Sequence, residues 1–215
     1  MPDIVDFTEV PHLQEMLSYL PIDPEDQEDI VNYVQNITNL IAVNYKYGQY
    51  QFAYFGVHLL YMTYIYCTAW KIGQIEPERY KDAIVFARSY NGREQDFKIE
   101  DADSIFVYSL MPEKDIAKLF KIIELDNSQI SMVGDLVDTR NEMAHASGKF
   151  DILNDESYDA KVSNVILSME FIHRCMVRLI RKWYGQVLIS FCKGEYEGYD
   201  NPKDFIIEQM IQTFK

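Results

Sequence analysis

Cysteine, glycine, proline and positive charge are all scarce in this 215-residue chain, and each scarcity removes a class of protein. Three cysteines, Cys67, Cys175 and Cys192, are an odd number with no close-spaced pair. Buried thiols in a reducing compartment are therefore expected, rather than a disulfide framework or a zinc cluster. Nine glycines and seven prolines are too few for a loop-rich β architecture, and no glycine-rich phosphate loop is present. The opening residues, Met1-Pro2-Asp3-Ile4-Val5-Asp6, lack the basic-then-apolar pattern of a signal peptide, which makes the cytoplasm the expected location. No repeat, low-complexity tract or long linker interrupts the chain, so residues 1–215 are read as a single domain. Lys and Arg number 20 against 34 Asp and Glu, a formal net charge of −14. Such a charge opposes unspecific binding to nucleic acid, and any phosphate-binding role must then rest on a local basic patch.

What the chain does have is apolar residues at helical spacing. At 48% hydrophobic and 25% charged it can bury a substantial core without metals or disulfides. Helices are expected over 9–20, from Pro24 to about 47, over 49–72 with Gly73 as the stop, over 78–90 before Asn91-Gly92, and over 112–125. Further helices are expected over 128–145, 156–191 and 202–213, with a short segment at 102–110. The fold class is therefore all-α, a helical bundle with long antiparallel helices.

The stretch from Phe52 to Trp70 carries no formal charge and approaches the length that spans a bilayer. It also holds Tyr54, Tyr61, Tyr64, Tyr66, His58, Thr63 and Thr68, whose polar groups lipid could not satisfy. A central bundle helix is expected instead of a membrane span, with the tyrosine hydroxyls partnered and His58 bonded to a neighbour inside the core.

The chemistry-bearing stretch is Arg140-Asn141-Glu142-Met143-Ala144-His145 at the end of the 128–145 helix. It supplies a permanent cation, an orienting amide and a titratable base, which suffice for acid-base work on a phosphodiester. The plain structural alternative is a helix end whose basic residues complement the macrodipole. At 100° per residue Asn141 and His145 share a face, so the amide can orient the imidazole, whereas Arg140 and His145 lie about 140° apart. Their convergence needs an arginine that curls across the helix, a distorted helix end, or a two-fold axis that brings two copies together.

With Leu136 to Thr139 before it and Ala146-Ser147-Gly148 after it, this stretch resembles the HEPN family (higher eukaryotes and prokaryotes nucleotide-binding), whose signature is Arg, an adjacent polar residue, and His after four to six residues. The resemblance covers roughly Leu136 to Gly148. It implies a helical bundle acting as a homodimer and a metal-independent endoribonuclease that cuts RNA through its 2′-hydroxyl, with no cofactor. It extends to a toxin or defence role with an antitoxin-like protein partner. Carried onto this chain, His145 moves the proton, Arg140 offsets charge on the phosphorane and Asn141 orients the base. Ser147 is a candidate donor to substrate. A second group, Arg174, Arg178, Arg181 and Lys182, has spacings that put most of it on one helix face and is the candidate substrate-binding patch. Two rivals stand beside this reading. In one, a non-catalytic nucleotide- or protein-binding module uses Arg140 and Asn141 without turnover. In the other, Asp138, Glu142 and His145, at relative positions zero, four and seven, hold a divalent ion. The loop carrying Tyr196 and Tyr199 is expected to be a connection without a part in the chemistry.

Overall fold

In the computed structural model, residues 9–22, 28–87, 89–90, 93–94, 104–144, 151–195 and 201–214 are described. They form α1 (Leu13–Tyr19), α2 (Glu28–Lys46), α3 (Tyr50–Ile75), α4 (Pro77–Ala87), a minimal hairpin of β1 (Ser89–Tyr90) and β2 (Arg93–Glu94), and a 3-10 turn at Ile105–Leu110. There follow α5 (Glu113–Ile116), a second 3-10 stretch at Ala117–Ile123, α6 (Asn127–Ala144), α7 (Asp155–Cys192) and α8 (Pro202–Phe214). The all-α bundle is thus what the chain adopts. No helix among the described residues is long and apolar enough to cross a membrane.

The charge-free helix α3 is the centre of the bundle. From Tyr54 to Ala69 nearly every side chain is buried, because α2, α7, α4, α5, α6 and α8 all pack against it. The connection from α2 to α3 is short, and Gly56 meets Ile41, so these two helices are antiparallel. A Cβ on Gly56 would sit 2.6 Å from the Ile41 Cγ1, which makes this glycine the condition of the close approach. Against α7 the direction is the opposite. Tyr61 bonds the Ser168 hydroxyl at 2.7 Å and Tyr64 donates to the Met169 carbonyl at 3.1 Å, while Tyr50 lies against Tyr158, so α3 and α7 run parallel. These hydroxyls find the buried acceptors expected of them.

Three expected boundaries shift. Helix α3 passes through Gly73 to Ile75, with the Tyr80 ring of α4 packed against that turn. Helix α4 stops at Ala87, and Tyr90 pairs with Arg93 across the hairpin. In sequence, Asn91-Gly92 separates the two strands, and this dipeptide is the strongest two-residue hairpin signal. The segment expected as a helix over 112–125 is one α turn followed by 3-10 winding, which ends at Glu124 in the left-handed region with φ 68°.

Two caps set the registers of the long helices near the candidate residues. At α7, Asn154 accepts from the Ser157 backbone N–H at 2.8 Å while Ser157 Oγ accepts from the Asn154 N–H at 3.2 Å. At α6, Asp126 accepts from the Gln129 N–H at 2.9 Å and Gln129 Oε1 accepts from the Asp126 N–H at 3.0 Å.

Candidate functional site

From its cap, α6 presents Val133, Leu136 and Val137 to the core, and Arg140 falls one turn further along that same stripe. The guanidinium is therefore carried inward, towards α5 and α3, and does not curl towards the solvent. There it donates from Nη2 to Glu113 Oε2, while Nε2 of His58, on α3, donates to the same oxygen at 3.3 Å. The His58 side chain is 3% exposed, Glu113 22% and Arg140 24%, so the three-residue network runs from the core to the edge of a cleft.

Charge is compensated inside this network. Burial alone would raise the Glu113 carboxyl, but the hydrogen bond and charge of His58, and then those of Arg140, hold it below its ordinary range. Beside it, the Tyr66 phenol is pushed up to about 12, by burial first and then by the Glu113 carboxylate, with Arg140 opposing. One donor is left over: Arg140 Nε is buried and has no hydrogen-bond partner. A buried N–H without an acceptor costs about 1–3 kcal/mol, so Glu113 pairs Arg140 incompletely.

The cleft itself is an open groove of about 890 Å³ whose walls include Tyr66, Met111, Glu113, Val137, Arg140 and Asn141. Its lining mixes apolar side chains with two cations, Lys114 and Arg140, two carboxylates, Glu113 and Asp115, and the Asn141 amide. Asn141 lines the groove next to Arg140. His145 and Ser147 lie outside the described residues, as do Tyr196 and Tyr199.

Two neighbouring carboxylates separate from the site. Glu142 is exposed, and Asp138 is bound by Lys114 Nζ at 2.5 Å. Asp138 is thus engaged by a cation, His145 of the Asp138, Glu142, His145 alternative lies outside the described residues, and no cluster of three metal-binding side chains occurs among the described residues. Sequence reasoning missed Glu113 altogether. The signal available was indirect: a buried histidine on α3 and an arginine on the apolar stripe of α6 both require a carboxylate, but nothing local says that it comes from the first turn of α5.

The second candidate group occupies a different surface. Arg174, Arg178 and Arg181 line a groove of about 500 Å³ that Gln129 closes from the start of α6. Lys182 lies across α7 in an adjoining hollow with Arg79, and Arg178 borders both. Neither shares a residue with the Arg140 groove. All three cysteines are free thiols; Cys67 and Cys175 are buried as expected but Cys192, in the last turn of α7, is exposed, and burial pushes Cys67 up to about 12, which makes it an inert core group. Comparison with protein-family models, with curated proteins and with solved structures gives no match to this chain.

Proposed function

We propose that this chain is a HEPN-like, metal-independent endoribonuclease in which Arg140, Asn141 and His145 form the catalytic set. The observation that carries the reading is the state of Arg140: held by Glu113, its side chain is fixed in the wall of an open groove beside Asn141. That arrangement suits a phosphoryl oxygen, because a preorganised cation needs no reorganisation when charge develops on the phosphorane. The substrate 2′-oxygen attacks phosphorus, the bond to the 5′-oxygen breaks, and the products are a 2′,3′-cyclic phosphate and a 5′-hydroxyl. His145, one residue past the last residue of α6, takes the 2′-proton or returns a proton to the leaving oxygen. In a homodimer two motif copies share the work, which answers the angular split between Arg140 and His145. A toxin or defence role with an antitoxin-like protein partner belongs to the same reading.

The test is cleavage of a fluorescent RNA pool by the purified chain in EDTA. Activity that leaves cyclic phosphate ends and vanishes in His145→Ala supports the proposal. A protein that binds nucleotides through Arg140 yet never cuts RNA is the non-catalytic module instead. One observation favours that second reading: Glu113 already neutralises much of the Arg140 charge.

A further inference from the structure

We propose that the basic surface of α7 is a separate docking site for single-stranded nucleic acid, seated in the groove between α7 and the start of α6. The inference takes only the identity of the strand from the ribonuclease reading. In a chain of net charge −14, four of the 20 Lys and Arg residues fall within residues 174–182. None of Arg174, Arg178, Arg181 and Lys182 has a carboxylate within ion-pair distance among the described residues. Lys114, Lys118, Lys193, Arg79 and Arg140 are each matched to one, while Lys46, Lys121, Lys161 and Lys203 stand singly in the sequence. Cations left unpaired where acids outnumber them are available to an external anion.

The arrangement selects among polyanions. Along α7 the step from Arg174 to Arg178 is about 6 Å, and from Arg178 to Arg181 about 4.5 Å. These steps are comparable with the advance between successive phosphates of a strand. The Arg178 guanidinium is steadied by donating to the Cys175 Sγ at 2.8 Å. The Arg174 guanidinium lies 5.1 Å from the Phe171 ring centroid, a stacked pair that a nucleobase can extend and an acidic peptide has no use for. No carboxylate lines this groove. Glu124 lines the smaller hollow on the far side of α7, and Asp126 is tied to Gln129 in the cap of α6, so the strand belongs in the larger groove, along its α7 wall. Gln129 at its edge and Arg140 in the other groove are eleven residues apart on α6, a rise of about 16 Å. The surface therefore anchors a strand at a distance from the Arg140 groove.

The experiment is fluorescence anisotropy of a labelled 15-nucleotide oligothymidylate with the full chain. The probe lacks the 2′-hydroxyl and so reports binding without cleavage. With the three arginines of the groove engaged, log K should fall with log salt at a slope of about −2.1, and Arg178→Ala/Arg181→Ala should cut that slope to about a third and weaken binding at least about tenfold at low salt. The proposal is overturned if the double variant binds like the parent, if the parent does not bind the oligonucleotide, or if polyglutamate displaces it as well as unlabelled oligothymidylate does. That last outcome makes the surface a dock for an acidic protein. Strand binding without RNA cleavage would sink the ribonuclease reading alone, and cleavage that survives with an unaltered double variant would sink this one alone.

Discussion

Arg140 and Arg178 bring the same guanidinium into opposite circumstances. The first sits on the apolar stripe of α6, shares Glu113 with the buried His58 and lines its groove with that pairing in place. The second stands on the exposed face of α7, without a carboxylate partner and among three more cations. A charge that must act on a transition state benefits from being held, because its geometry is settled before the reaction begins. A charge that must gather a strand benefits from being unpaired, because each phosphate it neutralises releases counterions. The contrast separates a group suited to chemistry from a group suited to affinity, within one acidic chain.

The largest effect that can break this contrast is kinetic. Arg140→Ala should lower RNA cleavage by a factor on the order of 10² to 10³ in kcat, the loss expected when one transition-state charge partner is removed. Arg178→Ala should instead raise KM and leave kcat nearly unchanged, since it removes binding that ground state and transition state share. Steady-state kinetics on a single RNA substrate reads both. Finding the kcat loss at Arg178 and the KM change at Arg140 would reverse the assignment.

A smaller effect separates the regions by stability. Glu113→Ala takes the acceptor from Arg140 and His58 together and should cost about 1–3 kcal/mol in urea unfolding, because two largely buried donors lose their partner. Arg181→Ala, exposed and free of carboxylate contacts, should stay within about 0.5 kcal/mol of the parent. Equal losses in the two variants would mean that the α7 surface is part of the fold's support.

These expectations show how much could be read in advance. The bundle was legible because its signals are periodic and local: apolar residues at helical spacing gave α2, α3, α6 and α7, and the charge-free run of α3 with its tyrosines pointed to a buried centre. The 3-10 winding from Ala117 to Ile123 was not legible, because its apolar pattern suits either helix type and the chain path is decided by packing against α4 and α6. Nor could the end of α3 be read from Gly73, which lies inside the helix beside the Tyr80 ring. At the candidate site, Arg140 and Asn141 stood out as neighbours in the chain. The Glu113 partnership joins residues from α3, α5 and α6, and a contact across 27 and 55 positions leaves no local trace.

The smallest expected effect is a difference in acid sensitivity. The Glu113 carboxyl is held below its ordinary value of 4.5 by His58 and Arg140, which outweigh the opposing effect of burial. Its ionised form therefore stabilises the fold fully above pH 4.5, and this contribution disappears as pH falls through the lower value of the folded state. Glu113→Gln keeps an oxygen acceptor but no longer titrates, so its stability should fall less steeply than the parent's below pH 4.5. The Arg178→Ala/Arg181→Ala variant removes charges that have no carboxylate partner, and its acid profile should run parallel to the parent's. Urea unfolding repeated from pH 6 down to pH 3 reads the slopes. A Glu113→Gln profile as steep as the parent's would mean that the carboxylate is not the ionised centre of the His58–Glu113–Arg140 network. The contrast between a held cation and an unpaired one would then lose its electrostatic basis.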